Sequence, residues 1–235
     1  MILPIKDDNP TRTTPWVTVS VLAINIVVFL YSFLLGDFGF DVFTQRMGLI
    51  PFEIVHAVDA VSPTPIPLYF TILTSMFMHG GWMHLGGNLL YLWIFGNSVE
   101  ETLGPVRFLL FYLFCGISAT AAHVISGPDS MVPLVGASGA IAGVLGAYLS
   151  AFPGTRVHVL VFLIFFIQIV RVPALLVLGS WFIIQVFSAT TETTGGGSGV
   201  AWYAHIVGFL VGYLLMWGRI RRLTTFVGRH WEREF

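Results

Sequence analysis

Hydrophobic residues are gathered into six long runs, separated by segments that differ in length and polarity. About 20 mainly apolar residues cross a bilayer as a helix, and lipid leaves the backbone no outside hydrogen-bonding partner. The runs therefore predict six membrane-spanning helices in an all-α, polytopic membrane protein with one domain, 1–235. The predicted spans, numbered one to six, are Trp16–Leu35, Gly81–Val99, Pro105–Ile125, Gly136–Phe152, Val172–Phe187 and Val200–Trp217.

A further apolar run, RVHVLVFLIFFIQIV, occupies residues 156–170 between the fourth and fifth spans. It is rich in β-branched and aromatic residues, and Arg156, Arg171 and Pro173 bracket it. Too little polar chain separates the run from its neighbours for the chain to turn twice. We expect an interfacial or partly buried connector here, not a seventh span.

The basic residues predict the orientation of the six spans. With six crossings both chain ends lie on one side, which receives ten of the 11 basic residues, whereas the other side receives only Arg46. Basic residues concentrate on the cytoplasmic side, so we expect a cytoplasmic lead-in at 1–15, without the pattern of a signal peptide, and a basic cytoplasmic tail at 218–235. The ten are Lys6, Arg12, Arg107, Arg156, Arg171, Arg219, Arg221, Arg222, Arg229 and Arg233.

Composition supports the membrane assignment. The 235 residues are 56% hydrophobic and 10% charged, with a mean hydropathy of +0.84, whereas soluble domains carry about 25% charged residues. The single cysteine, Cys115, excludes an internal disulfide and a cysteine-based metal cluster. We expect the lipid bilayer as a partner, and no nucleic acid.

The outside connections differ in kind. Residues 36–67 form a long, acidic segment with four phenylalanines, which we expect to pack at the membrane interface. The last outside segment, TTETTGGGSG at 190–199, has the composition of a flexible linker.

Polar residues recur at one depth in three of the predicted spans. Spans two, four and six all enter from the outside face, and near their starts stand His79, His84 and Asn88, then Ser138, then His205. Ionisable residues inside a span are costly and indicate function by default. Ser138 alone is more often a packing residue, and His79 alone suits an interface. Their shared depth favours a common site.

Small residues predict how these groups meet. Gly139 and Gly143 are four apart, and His205, Gly208 and Gly212 share one face of a helix. Small residues at this spacing let helices approach closely. We therefore expect span six to bring His205 to Ser138 across a glycine-lined contact, to which Gly136 also belongs.

The residue types fit acyl transfer by a serine. A serine hydroxyl needs a base to take its proton, and His205 is the candidate, later protonating the leaving amine. His84 and Asn88 are four apart on one helix face and supply donors for an oxyanion, as does the backbone N–H of Ser138 in the opening turn of its helix. These three spans hold no carboxylate in their cores, which favours a Ser–His dyad.

Other membrane-protease chemistries are disfavoured by residue type. The chain has no His-Glu-x-x-His motif, and its spans hold no aspartate pair. His79 and His84 are five apart, which does not place them on one helix face. We therefore expect no metal site.

Four motifs resemble those of the rhomboid intramembrane serine proteases. They are TSMFMHGGWMHLGGN (74–88), NSVEETLG (97–104), GASGAIAG (136–143) and AHIVGFLVG (204–212). The resemblance extends over essentially the whole chain. It implies that Ser138 is the nucleophile, that His205 is the base, and that His84 and Asn88 contribute to the oxyanion site.

The resemblance also implies a six-helix core and a first outside loop partly in the membrane. It implies single-span membrane proteins as substrates, cleaved near their outer end without a cofactor, and entry past the fifth span and the last outside loop. The chain departs from the family in two places. Phe70-Thr71 replaces a common Trp-Arg pair, and Ala142 replaces an aromatic residue that in some members stacks on the base.

Two other functions stay open at this point. A non-catalytic relative that binds transmembrane helices usually lacks the serine or the histidine, and both are present here. A small-solute transporter predicts inverted-repeat halves and carboxylates within the spans, and neither is evident. The compact six-span form favours a prokaryotic plasma membrane as the location.

Overall fold

The computed structural model describes residues 2–60, 63, 65–163, 166–191 and 201–231. Nine α-helices and three strands lie within these ranges, with two short 3-10 helices at Leu68–Phe70 and Ser75–Phe77. The helices are α1 Trp16–Leu34, α2 Gly36–Met47, α3 Pro51–His56, α4 Thr71–Thr74, α5 Trp82–Leu103, α6 Pro105–Ser126, α7 Ser138–Ala151, α8 Ala174–Thr191 and α9 Trp202–Trp231. The strands are β1 Ile2–Asp7, β2 Arg156–Leu163 and β3 Phe166–Pro173.

A helix covers most of each predicted span, namely α1, α5, α6, α7, α8 and α9. Within the described ranges, four helices are long and apolar enough to cross a membrane: α1, α6, α8 and Trp202–Ile220 of α9. With 14 residues, α7 is only about 21 Å long, which is shorter than the roughly 30 Å hydrocarbon core. The mostly helical, polytopic prediction is confirmed, and the count of six crossings stays a prediction.

Helix α7 lies at the centre of the bundle. Every residue from Ala140 to Leu149 is buried, and the most extensive helix–helix contact joins α7 to α9. A Cβ added at Gly208 would collide with the backbone carbonyl of Gly139, and one at Gly212 with that of Gly143. Glycine is therefore required on α9 for the two backbones to approach this closely.

The glycines of α7 itself have a second neighbour. A Cβ on Gly139 would come within 2.6 Å of Ala119, and one on Gly143 within 2.5 Å of Cys115, both on α6. The backbone carbonyls of Gly139 and Gly143 contact α9, while their Cα atoms face α6. The small residues of α7 thus permit close packing on two sides, whereas the sequence pattern indicated only the contact with span six.

The apolar connector forms a β-hairpin, which the sequence analysis did not predict. Strands β2 and β3 pair antiparallel from Arg156↔Pro173 to Leu163↔Phe166, and β1 pairs antiparallel with β2. Val157 and Val159 are buried in the core, as expected for alternate residues of a strand with one face packed. The lead-in and the connector therefore build one three-stranded sheet, and the all-α prediction requires this correction.

Hydrogen bonds join the first strand to the end of the bundle away from Ser138. The hydroxyl of Tyr148, on α7, donates to Asp7 Oδ2 at 2.6 Å. Ser98 Oγ, on α5, donates to the same oxygen at 3.4 Å. The carboxylate of Asp7 therefore links β1 to two helices of the bundle.

The NSVEETLG motif holds the start of α1. Pro15, at the N-cap of α1, provides no side-chain hydrogen bond. Glu100 instead accepts bonds from the backbone N–H groups of Val17 and Thr18, at 2.9 and 2.7 Å, and from the Thr18 hydroxyl at 2.7 Å. A carboxylate is favoured beside the N–H groups that open a helix, so α5 supplies the cap that Pro15 lacks.

The described residues between 36 and 67 include α2 and α3, and this part of the chain folds onto the bundle. Leu49 and Ile50 are fully buried, and Leu49 exchanges two backbone hydrogen bonds with Leu134, of 3.1 and 2.7 Å. Thr74 donates its hydroxyl proton to the Met47 carbonyl at 2.7 Å. This bond anchors the segment close to Phe70-Thr71, the pair that stands in place of Trp-Arg. Its placement at a membrane interface stays a prediction. Of the Gly-rich segment at 190–199, residues 192–199 lie outside the described ranges.

Candidate active site

Ser138 is the first residue of α7, and a turn at Gly136 directs the chain into it. Gly136 has a φ of +127°, which residues with a side chain rarely adopt, and its N–H donates to the Ser75 carbonyl at 2.9 Å. The N–H groups of a first helical turn have no partner within the helix. Both the hydroxyl and the backbone N–H of Ser138 are thereby available for chemistry at the start of α7.

His205 lies in the first turns of α9, directly opposite Ser138. Its Nε2 atom is 2.7 Å from Ser138 Oγ, a hydrogen-bond distance. Both side chains are half-buried, and Gly208 and Gly212 let the backbones of α7 and α9 approach closely enough for this contact. A base within about 3 Å of a hydroxyl can take its proton.

His84 approaches Ser138 from α5. A Cβ placed on Gly136 would come within 2.7 Å of His84 Nε2 and 3.6 Å of Ser138 Oγ. The other ring nitrogen, Nδ1, accepts the backbone N–H of Gly80 at 3.5 Å. A neutral imidazole that accepts at Nδ1 carries its proton on Nε2, so His84 directs an N–H towards the space beside Ser138.

Asn88 lies one turn after His84 on the same helix. It is 8% exposed, and its Nδ2 atom has no hydrogen-bond partner among the residues that the structure describes. Buried donors are nearly always bonded. Because Asn88 lines the same cavity as His84 and Ser138, its amide is an unused donor within the site.

A cavity of about 880 Å³ contains these groups. Apolar side chains line much of it, including Tyr91, Ile141, Leu145 and Trp181, and polar groups are found at Ser138, His84, Asn88 and His205. His123, in the last turn of α6, also lines it. An apolar cavity with a few convergent polar groups is typical of a ligand-binding or catalytic site.

Sequence reasoning missed Gln185, which contacts the far side of the His205 ring. Its Oε1 atom is 2.8 Å from His205 Nδ1, and the side chain is only 5% exposed. The signal was a lone amide in an otherwise apolar span. It was overlooked because span five runs opposite to spans two, four and six, which places Gln185 near its end and at the depth of His205.

Two tryptophans flank the His205 ring, although Ala142 offers it no aromatic neighbour. Trp181 on α8 lies 5.9 Å from the ring, centroid to centroid, and Trp202 stands edge-on to it at 6.2 Å. The aromatic neighbours of His205 therefore lie on α8 and α9, and not on α7.

His79 is buried, in contrast to the interfacial position that its place in the sequence suggested. It is 1% exposed, and its ring stands edge-on to that of His84 at a centroid distance of 5.2 Å. The described residues contain no cluster of three or more His, Cys, Asp or Glu side chains suited to a metal ion. His79 thus packs against the ring of His84.

The chain belongs to the rhomboid family, which is known for intramembrane serine proteases. The family model described as Rhomboid domain matches residues 68–222. That range includes Ser138, His205, His84 and Asn88. The prediction of family membership is thereby confirmed, together with an integral membrane location.

Similar proteins come from plants, bacteria and yeast. Rhomboid-like protein 11, chloroplastic, of Arabidopsis thaliana is 31% identical over 192 residues, 78% of this chain and 61% of its own length. Rhomboid protease GluP of Bacillus subtilis is 44% identical over 81 residues, which are 34% and 15% of the two chains. Rhomboid protein 1, mitochondrial, of Saccharomyces cerevisiae is 31% identical over 161 residues, or 63% and 41%. The chain thus matches less than two thirds of the length of each.

Proposed function

We propose that this chain is an intramembrane serine endopeptidase that hydrolyses a peptide bond in the transmembrane segment of single-span membrane proteins. The observation that carries the proposal is the 2.7 Å contact between Ser138 Oγ and His205 Nε2, on the wall of a largely apolar cavity. Membership of a protease family supports the same reaction.

In the acylation step, Ser138 Oγ attacks the carbonyl carbon of the scissile bond. The hydroxyl proton passes to His205 Nε2, which is already at hydrogen-bond distance. The tetrahedral intermediate then collapses, the C–N bond breaks, and the imidazolium gives the proton to the leaving amine. The product is an ester between Ser138 and the amino-terminal part of the substrate.

Three donors around Ser138 are suited to the oxyanion of that intermediate. They are the Nε2–H of His84, the Nδ2–H of Asn88, which has no partner among the described residues, and the backbone N–H of Ser138. Each fixed donor of this kind is worth about 100- to 1,000-fold in kcat, because it is directed at the developing charge before the reaction begins. Water then attacks the ester with His205 as base, which regenerates the serine.

The membrane arrangement is part of the proposal. Six crossings with both termini in the cytoplasm place Ser138 near the extracytoplasmic face, so that the cut falls near that end of a substrate helix. The apolar lining from Tyr91, Leu145 and Trp181 suits a segment drawn from the lipid phase. We assign the protein to a prokaryotic plasma membrane on the sequence pattern alone.

A reconstituted cleavage assay tests the proposal. The protein is purified, inserted into liposomes with a model single-span substrate, and compared with Ser138→Ala, His205→Ala and Ser150→Ala. Ser150 is a serine at the other end of α7, so its loss controls for general effects on that helix. We expect cleavage by the parent and by Ser150→Ala only. Cleavage that persists in Ser138→Ala would exclude Ser138 as the nucleophile.

A further inference from the structure

Gln185 contacts the ring edge of His205 opposite to Ser138. We propose that Gln185 is a positioning residue of the dyad, which holds the proton of His205 on Nδ1 and so keeps Nε2 free to accept the serine proton. This inference rests on the proposed protease function. It adds a third member to a site for which the sequence predicted only two.

The amide of Gln185 is fixed by a second hydrogen bond. Its Nε2 donates to the backbone carbonyl of Trp181, one turn earlier on α8, at 3.3 Å. The NH₂ group is therefore turned towards its own helix, and Oε1 is turned towards His205 Nδ1 at 2.8 Å. An amide oxygen only accepts hydrogen bonds, so the group facing it must be an N–H.

That contact decides which tautomer of His205 is stable. With the proton on Nδ1, the lone pair of Nε2 points at Ser138 Oγ, 2.7 Å away, and can accept its proton. With the proton on Nε2, the ring would present a donor to the serine and an unprotonated Nδ1 to the Gln185 oxygen. The bond made by one ring nitrogen thus sets the state of the other.

A neutral amide suits this place better than a carboxylate. The side chain is 5% exposed on a helix apolar enough to cross a membrane, where a charged group is costly. Gln185 therefore supplies the orienting acceptor of a catalytic triad without a buried charge. It explains how a dyad without a carboxylate partner among the described residues still has a defined proton position.

Because of the bond between Gln185 and His205, the tautomer of His205 depends on the position of α8. Within the described part of α8, buried residues are confined to a narrow stripe made of Ala174, Leu178, Gln185 and Ala189. Gln185 is the polar member of that stripe, and its partner lies on α9. Any displacement of α8 that separates Gln185 Oε1 from His205 Nδ1 would remove this tautomer preference, and either ring nitrogen could then carry the proton.

Three variants separate positioning from packing. Gln185→Met keeps the length of the side chain and removes the acceptor, whereas Gln185→Glu keeps an acceptor facing Nδ1. Ile184→Met changes the neighbouring residue, which is 57% exposed, and controls for substitution on α8. All are compared with the parent by thermal unfolding, by cleavage kinetics and by labelling of Ser138 with a fluorophosphonate.

We expect Gln185→Met to lower kcat by about 100- to 10,000-fold, the range for a base that loses its correct tautomer, with KM unchanged. Gln185→Glu should restore most of kcat, and Ile184→Met should match the parent. Equal kcat in Gln185→Met and the parent would overturn the inference, as would a loss that Gln185→Glu fails to restore while both variants unfold at the parent's temperature.

A tautomer measurement distinguishes this inference from the protease proposal. In protein with ¹⁵N-labelled histidine, NMR shows which ring nitrogen of His205 carries the proton, whether or not any substrate is cleaved. We expect Nδ1–H in the parent and in Gln185→Glu, and loss of that preference in Gln185→Met. A parent with the proton on Nε2 refutes the role of Gln185. An Nδ1–H parent without proteolysis supports that role and refutes the protease proposal alone.

Discussion

The imidazole of His84 lies directly against the Cα atom of Gly136. A Cβ at position 136 would come within 2.7 Å of His84 Nε2, and the φ of +127° already disfavours any residue with a side chain. One glycine thus satisfies two requirements, a turn into the helix of Ser138 and space for the imidazole of His84, the proposed hydrogen-bond donor to the oxyanion.

We predict that Gly136→Ala abolishes most of the activity. The added methyl group displaces His84, and a displaced oxyanion donor costs about 100- to 1,000-fold in kcat. Backbone strain at such a position adds about 1–3 kcal/mol to the loss of stability. Gly86→Ala is the matched control, because a Cβ there meets open space. Normal cleavage by Gly136→Ala would mean that His84 has no part in the reaction.

The contact between α7 and α9 gives a second prediction. A Cβ on Gly212 would collide with the backbone of Gly143, whose Cα would be 2.6 Å away. Backbone atoms cannot rotate aside, so Gly212→Ala should push α9 outwards and cost about 1–3 kcal/mol or more in stability. His205 moves with α9, and cleavage should fall in parallel.

Gly218→Ala is the control for that variant, since a Cβ there has no neighbour within 4 Å. The measurement is the unfolding midpoint in detergent, together with the cleavage rate. A Gly212→Ala protein with parental stability and activity would show that α9 does not need this close approach.

A third prediction concerns the cap that Glu100 provides for α1. In Glu100→Gln one carboxylate oxygen becomes an NH₂ group, which faces buried donors on Val17 or Thr18. A buried donor left without its acceptor costs about 1–3 kcal/mol. We expect a lower unfolding midpoint and an unchanged labelling rate of Ser138 below that midpoint.

Glu101→Gln is the matched control for Glu100→Gln. Glu101 accepts one bond, from the backbone N–H of Arg12, at an exposed position, and a glutamine oxygen can take its place. Equal stability of the two variants would contradict the capping role of Glu100.

The two carboxylates at the end of β1 respond to pH in opposite directions. Burial raises the pKa of Asp7 above its ordinary value of 3.8, an effect that the bond from Tyr148 only partly offsets. Asp8 lies outside the core, and a hydrogen bond from His158 lowers its pKa below 3.8. Asp7 therefore binds its proton more tightly in the folded protein, and Asp8 less tightly.

The sign of each contribution follows from that difference. Asp7 adds stability that is fully present below pH 3.8 and is lost as the pH rises through its raised pKa. Asp8 adds stability that is present above pH 3.8 and is lost as the pH falls through its lowered pKa. Of these two carboxylates, Asp7 is the one that weakens the attachment of β1 as the pH rises above 3.8.

We therefore predict that Asp7→Asn strengthens the attachment of β1 at neutral pH. The asparagine oxygen still accepts the Tyr148 hydroxyl, and no charge has to be buried. Amide hydrogen exchange in β1 and β2, expressed as protection factors, should show greater protection than in the parent and a flatter pH dependence above 3.8. Asp8→Asn should have a smaller effect of opposite sign. Weaker protection in Asp7→Asn at neutral pH would contradict this account.

The candidate site could be predicted from the sequence because its residues follow local sequence patterns. Ser138, His205 and His84 are polar residues in apolar spans that run in one direction, so equal distance from the span start means equal depth. Glycine spacing indicated which helices meet. The closeness of Ser138 and His205 in the structure follows from these two regularities.

The sheet could not be predicted in the same way, because its strands β1 and β2 pair although they are far apart in the sequence. The partner of β2 on one side is β1, about 150 residues earlier in the chain. The six-residue strand ILPIKD is too short to predict a strand from its own pattern. A short apolar run such as 156–170 also does not distinguish a strand from a buried helix by periodicity. Only the tertiary structure brings these segments together.

Gln185 was missed for a different reason. Its role depends on the antiparallel direction of α8, which places a residue near the end of one span beside a residue near the start of the next. The polar residues predicted at one depth all lie near the starts of spans that enter from the outside face. The ends of the spans that run the other way reach the same depth, and Gln185 lies at one of these ends.

The most direct test of the central claim is the site of covalent labelling by a fluorophosphonate. This reagent reacts with a serine whose proton is taken by a base, and peptide mass spectrometry identifies the modified residue without knowledge of the natural substrate. We predict labelling of the parent at Ser138, and none in Ser138→Ala or His205→Ala. Labelling at another serine, or labelling of Ser138 that persists in His205→Ala, would contradict a dyad of Ser138 and His205.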